Sequence, residues 1–249
     1  MIPDLHLQNH VATITLRRPD VANRLAPEDL PVLVSHVKRV NELDDVRVLV
    51  LRGEGKYFCS GYDISEVRSS QEKGSSFGEM VDVFEQCRAV TIAVVHGGVY
   101  GGATDMALAC DFRVGTTAAE MFMPAARLGL HFYQAGLERY VTRLGVDTAK
   151  RLFLTCERLN AQDMKACGFL THLVEPDRLG ATVSGLTETL SAMAPLPLFG
   201  MKKHLNLIAR GSHDPEAIAR DVFQTVHSED LQEGGSAWRE KRKPKFKGR

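Results

Sequence analysis

The sequence predicts an α/β fold on a mainly parallel sheet, with a smaller all-helical segment at its C-terminal end, and three observations predict it. Short β-branched runs recur at residues 46–51 (VRVLVL), 91–95 (TIAVV) and 112–114, dense enough to be buried on both faces. Helix-like material separates them, and strands alternating with helices join through right-handed crossovers into parallel sheet. Beyond Pro195 and Pro197 only helical patterning remains.

The first sixty residues read as strand, strand, helix, strand. Val11, Thr13 and Thr15 alternate with Ala12, Ile14 and Leu16, a half-buried strand. After the turn Arg18-Pro19-Asp20 a helix is expected to start with Pro27 as its first residue, Glu28 and Asp29 following in the first turn, where fixed φ and negative charge both suit a helix start. Leu30, Leu33, Val34, Val37 and Val40 repeat at helical spacing and Leu43 closes the apolar face. Residues 134–168 are helical in pattern, with a stop at Leu144-Gly145 and a fresh start at Ala161-Gln162-Asp163. A strand at 171–174 precedes a helix at about 177–193, and helices are expected at 198–208, 215–227 and 231–238. The boundary falls near Ala194, dividing a core of residues 1–194 from a helical domain of residues 195–249.

At 249 residues the chain fits one large domain or a domain with a small appendage, long enough to bury roughly 70–75% of its unfolded surface. Its 31 basic and 31 acidic residues cancel, so neither nucleic acid nor an anionic membrane is the expected partner. No apolar run approaches the roughly 18 residues of a membrane span. Met1-Ile2-Pro3-Asp4 resembles neither a signal peptide nor a transit peptide, and the expected compartment is the cytoplasm. Cys59, Cys87, Cys110, Cys156 and Cys167 form no CxxC pair, so buried reduced thiols are expected. The nine histidines contain no HxH or HExxH, and no metal site is expected. Walker A and GxSxG are also absent, which removes P-loop phosphoryl transfer and α/β-hydrolase chemistry.

Two glycine-containing segments are informative: residues 58–64 (FCSGYDI) and residues 96–105 (HGGVYGGATD). Each follows a buried strand and opens a helix. Glycine there allows positive φ and close backbone approach, and the free N–H groups of a helix start point outward. Two such turns facing each other would offer two backbone donors to one oxygen, an oxyanion hole; two tight turns without a ligand would read the same way.

FCSGYDISEV resembles the F-x-x-G-x-D-[IL] segment of the crotonase family, the enoyl-CoA hydratases and isomerases, and HGGVYGGATDMALACD resembles its N-G-x-x-x-G-G-G-x-E segment. Arg18-Pro19-Asp20-Val21-Ala22-Asn23, Phe122-x-Pro124-x-x-x-Leu128-Gly129, Arg143-Leu144-Gly145, residues 161–168 and residues 238–242 continue the likeness in order over nearly the whole chain. The resemblance implies a crotonase-like ββα spiral core with a C-terminal helical trimerisation domain, assembled as a homotrimer or dimer of trimers. It implies an acyl-CoA substrate, coenzyme A being part of the substrate, with no separate cofactor. The backbone N–H groups of Tyr62 and Gly102 would hold the thioester carbonyl and stabilise an enolate. The adenine ring would lie near Val21, Ala22, Asp63 and Ile64, and Trp238 and Lys241 fall where the family puts an aromatic and a basic residue near the nucleotide.

The chain also departs from the family. Where hydratases carry two glutamates around the attacking water, it has Asp105 and Ala125, and Leu130-His131-Phe132-Tyr133-Gln134 replaces the Pro-Gly of the following loop. Asp105, one helical turn after Gly102, is the leading proton-transfer candidate. Burial would raise its pKa and the helix N-terminus would lower it. His131 and Tyr133 are candidates for the missing acid. Tyr62 and Tyr100 flank the turns as candidates for shaping the acyl pocket, His96 stands as a structural residue, and the seven basic residues of 239–249 could assist the CoA phosphates. The expected activity is of the enoyl-CoA hydratase/isomerase type. Decarboxylation, or acyl-CoA binding without catalysis, are the alternatives.

Overall fold

A computed structural model describes residues 1–63, 65 and 77–249. The N-terminal hairpin pairs β1 (Asp4–Gln8) antiparallel with β2 (Val11–Leu16). Helix α1 (Asp29–Glu42) crosses over to β3 (Val48–Gly53), and α2 (Phe77–Glu85) precedes β4 (Val90–Val95). The two-residue strand β5 (Val99–Tyr100) leads into α3 (Gly102–Ala109), followed by β6 (Phe112–Thr116) and β7 (Glu120–Phe122). Then come α4 (Gln134–Leu144), α5 (Val146–Thr155), β8 (Leu159–Asn160), α6 (Ala161–Ala166), β9 (His172–Val174) and α7 (Leu179–Ser191). The C-terminal segment holds α8 (Pro195–Ala209), α9 (Pro215–Val226) and α10 (Glu229–Glu240).

The main sheet runs β1-β2-β3-β4-β6-β9, parallel from β2 onward. Val11 pairs with Val48 and Val48 with Val90, so the predicted β-branched runs lie side by side in the centre. Both faces are covered. Leu49 and Leu51 join Ile14, Leu33, Val37 and Phe84 beneath α1 and α2, while Val48, Val50, Val90 and Ile92 pack under α7 with Leu186 and Leu190. Burial on alternating faces makes these strands read as unbroken hydrophobic runs.

Two predictions are corrected. Helix α1 starts at Asp29, not Pro27, because the Asp29 carboxylate turns back to accept from the Ala26 amide at 2.8 Å. A second small sheet, β5-β7-β8, was not foreseen; strands of two or three residues are too short to show a period. This sheet matters for function, since it fixes the turn ahead of α3: Val99 and Tyr100 pair with Met121 and Phe122.

Helix α8 docks on its own chain. Lys202 Nζ bonds Asp111 at 2.7 Å and the Ala89 carbonyl at 2.6 Å, and Asn206 donates to the Glu85 carbonyl at 3.1 Å. The tail after α10 folds back to the N-terminal end of β3, where Arg47, just before that strand, donates to the carbonyls of Ser191 and Phe246. Its basic residues meet acidic ones of α10: Arg242 pairs with Glu233, the Lys247 amide donates to Asp230, and Arg249 pairs with Glu229. Of the expected reserve of positive charge, Arg242, Lys247 and Arg249 are thus paired within the chain. Among the described residues no helix is long and apolar enough to cross a membrane, and no cluster of His, Cys, Asp or Glu could hold a metal ion.

Candidate active site

The two glycine segments face each other. Cys59 and Val99 form a parallel bridge, with the Phe58 amide donating to Gly98 O and the Tyr100 amide to Cys59 O, both at 3.0 Å. Gly61 has φ +94°, and a Cβ on it would stand 2.8 Å from Tyr100 O and 3.1 Å from Gly102 N. Only glycine combines that backbone conformation with that approach. Asn23 is almost fully buried and locks the first turn by donating to the carbonyls of Glu54, Tyr57 and Phe58.

Two amides are thereby left free. On the Leu25 side of the first turn, Gly61 O accepts from the Leu25 amide and the Asp63 amide donates to Leu25 O, so the intervening Tyr62 N–H points the other way. Gly102 opens α3 and its N–H has no intrahelical acceptor. Among the described residues neither amide has a backbone or side-chain acceptor. Both residues line a cavity of about 590 Å³ beyond the C-terminal ends of β3 and β4, walled also by Phe77, Ala125, Phe132 and Tyr133. Four aromatic rings stand together in its wall: Phe77 lies 5.7 Å from Tyr62 and 6.4 Å from Tyr133, which stacks on Phe132 at 4.4 Å between ring centroids.

Asp105 sits on α3 as expected, but its side chain turns inward. It is 0% exposed and does not line the cavity, so any part it plays in proton transfer runs through a neighbour. The cause is Arg139, itself fully buried on α4, whose guanidinium must be neutralised in the interior. Arg139 Nη1 meets Asp105 Oδ2 at 2.6 Å, Nε meets Glu85 at 3.1 Å and Nη2 meets Asp82 at 2.6 Å. The Tyr133 hydroxyl donates to the same Oδ2, while Asp105 Oδ1 is buried with no partner among the described residues. Tyr133, whose ring lines the cavity, thus connects the hidden carboxylate to the site.

Burial raises the Asp105 pKa above the ordinary carboxylate value, against the pull of Arg139 and the Tyr133 donor. Burial and the neighbouring Asp105 push the Tyr133 phenol well above its usual range. Burial alone would raise Glu85 too, but Arg139 and Arg210 together hold it below its ordinary value.

The other expected site residues divide. His131 is exposed on the cavity rim, its Nδ1 donating to the Phe132 carbonyl at 2.7 Å. Val21, Ala22 and Asp63 gather near the first turn: Ala22 O accepts from the Ser60 amide at 2.9 Å, and Asp63 pairs with Arg24 at 3.3 Å. Ile64 lies outside the described residues. Trp238 is 87% exposed on α10, and neither it nor Lys241 lines the cavity. Their segment is tied through its tail to Arg47 at the opposite end of the strands, so the chain does not bring them into its own site. Tyr100 also turns away, donating to Glu120 at 2.5 Å, and His96 braces the Gly55 carbonyl at 2.9 Å.

Sequence reasoning missed Phe77, Arg139, Asp82 and Glu85. Asp82 and Glu85 stand three apart on a helix whose other residues are mostly apolar, a weak signal for a buried charge cluster. Nothing local marks Arg139 as buried.

The enoyl-CoA hydratase/isomerase family profile matches residues 6–249. Among curated relatives, (E)-benzylidenesuccinyl-CoA hydratase of Thauera aromatica is 29% identical, with 98% of each chain covered. Methylmalonyl-CoA decarboxylase of Escherichia coli K12 is 26% identical, covering 96% of this chain and 95% of that protein. Among solved structures, an enoyl-CoA hydratase/carnithine racemase from Magnetospirillum magneticum superposes with a TM-score of 0.93 at 25% identity, covering 99% of this chain and 96% of that one. The likeness extends from one end of the chain to the other in sequence and in fold, and the chain belongs to the enoyl-CoA hydratase/isomerase family, with the crotonase fold.

Proposed function

We propose that this protein moves a proton on an acyl-CoA thioester through an enolate held by the Tyr62 and Gly102 amides, with isomerisation of an unsaturated acyl chain as the leading reaction. The single observation that carries this reading is the pair of unpaired amides across the Gly61–Gly102 approach, at an apolar cavity whose wall presents Tyr133. A carbonyl oxygen placed between the two donors gains most as negative charge moves onto it. Tyr133 takes the proton from carbon as it passes its own to Asp105, and the reverse transfer returns a proton to a second carbon, so charge and protons balance. Arg139 supports the carboxylate form of Asp105.

Hydration by two acids fits less well, because Ala125 lines the cavity where the family's second glutamate stands and offers no proton. His131 on the rim is the candidate second carrier for that route. Decarboxylation is the second reading: it needs an enolate site and a proton donor but no exposed base, and the side chain of Asp105 is sealed from the cavity. One relative carries a decarboxylase name. The CoA nucleotide is placed by this reading against Val21, Ala22 and Asp63, with Trp238 and Lys241 serving a neighbouring subunit of a homotrimer or dimer of trimers.

The test is incubation with 2-enoyl-, 3-enoyl-, 3-hydroxyacyl- and malonyl-type CoA esters in D₂O, read by mass and retention. Isomerisation leaves the formula unchanged apart from deuterium and shifts retention, hydration adds water, and decarboxylation loses carbon dioxide. Binding of every ester with neither product nor deuterium at carbon would make this an acyl-CoA-binding protein and overturn the reading.

A further inference from the structure

The ion pairs around Arg139 do not end at the core. Arg210, the residue that caps α8, reaches Glu85 Oε2 with Nη2 and Glu138 Oε2 with Nη1 at 2.6 Å. Glu85 Oε1 is the partner of Arg139 Nε, and Arg139 Nη1 holds Asp105, on which the Tyr133 hydroxyl rests. A continuous chain of charge-assisted hydrogen bonds therefore runs Arg210–Glu85–Arg139–Asp105–Tyr133. Its inner members are almost wholly buried, with Arg139 and Asp105 at 0% and Glu85 at 11% side-chain exposure. Among the described residues Arg139 pairs with three carboxylates, so Glu85 competes with Asp105 for one cation unless another charge takes it up. Arg210 takes up Glu85 Oε2 at hydrogen-bond distance, while Arg143 stands farther off, 3.8 Å from Oε1.

We propose that Arg210 is a positioning residue of the active site: by holding Glu85 it leaves Arg139 to Asp105, and so sets how firmly the Asp105–Tyr133 pair keeps its proton. The proposal rests on the reading above that Tyr133 handles the proton. It gives α8, the first helix of the C-terminal segment, a direct electrostatic part in the chemistry. The titratable and charged groups around Asp105 are Asp82 and Glu85 from α2, Tyr133 just before α4, and Glu138, Arg139, Tyr140 and Arg143 from α4. Arg210 comes from α8, and the Cys167 thiol after α6 acts on Tyr140. Of these, Arg210 is the cation contributed by the C-terminal segment.

The sign follows from charge. Loss of Arg210 adds net negative charge near Asp105, favours its protonated form and moves its titration upward. At roughly 10 Å and an effective dielectric near 20 the shift is on the order of one pH unit. Loss of Glu85 acts oppositely, and loss of both nearly cancels.

The experiment uses full-length protein labelled with ¹³Cζ-tyrosine. Its five tyrosines give few resonances, and Y133F assigns Tyr133. The Tyr133 resonance is followed from pH 4 to 10 in wild type, R210Q, E85Q and the double variant. The expected midpoints move up by about one unit in R210Q, down by a similar amount in E85Q, and return near wild type in the double variant. A purely structural role for Arg210 would lower the melting temperature without producing opposite signs. An R210Q midpoint equal to wild type, or no titration of Tyr133 in any variant, overturns the proposal. Should R210Q fail to fold, E85Q alone decides, since an unshifted or upward midpoint there contradicts it. Turnover of Y133F is measured in parallel: full activity there defeats the Tyr133 reading itself, whereas lost activity with an unmoved R210Q midpoint defeats only the role of Arg210.

Discussion

Replacing Gly102 by proline removes one of the two amides that would face the carbonyl, while the helix tolerates proline as its first residue. The structure adds a complication that must be separated from the lost donor. A Cβ at position 102 would stand 2.8 Å from both Cε1 and Cζ of Phe77, the ring that packs on Tyr62. Any larger residue there displaces Phe77, at a cost of roughly 1–3 kcal/mol in stability. G102A meets the same ring and keeps its N–H, so the pair of variants isolates the donor. The alanine variant should lose stability and lose turnover only modestly. The proline variant should lose a further 100- to 1,000-fold in kcat, about 2.7–4 kcal/mol of transition-state stabilisation. Steady-state kinetics on the ester turned over in the panel, with melting temperature and assembly state recorded for each variant, gives the comparison. Equal turnover in folded G102P and G102A would remove the Gly102 amide from the mechanism.

Y133F keeps the ring that stacks on Phe132 and removes only the hydroxyl; turnover should fall roughly 100- to 10,000-fold with CoA-ester affinity little changed, and unchanged turnover would refute proton transfer through Tyr133. D105N tests the same pair through stability. Because the folded-state pKa of Asp105 is raised, its contribution is full below the unfolded value and is lost as pH rises through the folded one. The stability gap between wild type and D105N, followed by chemical denaturation, should therefore shift in favour of D105N as pH rises above the ordinary carboxylate range, and a gap independent of pH would contradict that burial effect. Finally, Met201, Leu205, Val222, Phe223 and Val226 of α8 and α9 are each more than half exposed in the single chain. Sedimentation at micromolar concentration should show an oligomer that covers them, and a stable monomer would contradict it.

Much of the architecture is local in origin and was legible in the residues. The alternation in β2 and the buried runs of β3 and β4 reflect side-chain periods that hold wherever a strand lies. The facing glycine turns were legible too, since positive φ at Gly61 and close approach at Gly102 demand residues without a side chain. Asp105, Tyr133 and His131 could be named as candidates for proton transfer from residue type and from the family resemblance that places them by the substrate. Their relation could not. That Tyr133 lines the cavity while Asp105 hides behind it depends on α2, α3 and α4 meeting around Arg139. The segments that supply Asp82, Asp105, Arg139 and Arg210 are separated by tens of residues, and a charged residue carries no sequence mark of being buried. For the same reason the small β5-β7-β8 sheet, the placement of Trp238 away from the cavity and the reach of Arg210 into the core became visible only in three dimensions. Local sequence determines which elements form and where the backbone must be bare, but the pairing of buried charges is a property of packing, decided by long-range neighbours that no window of sequence contains.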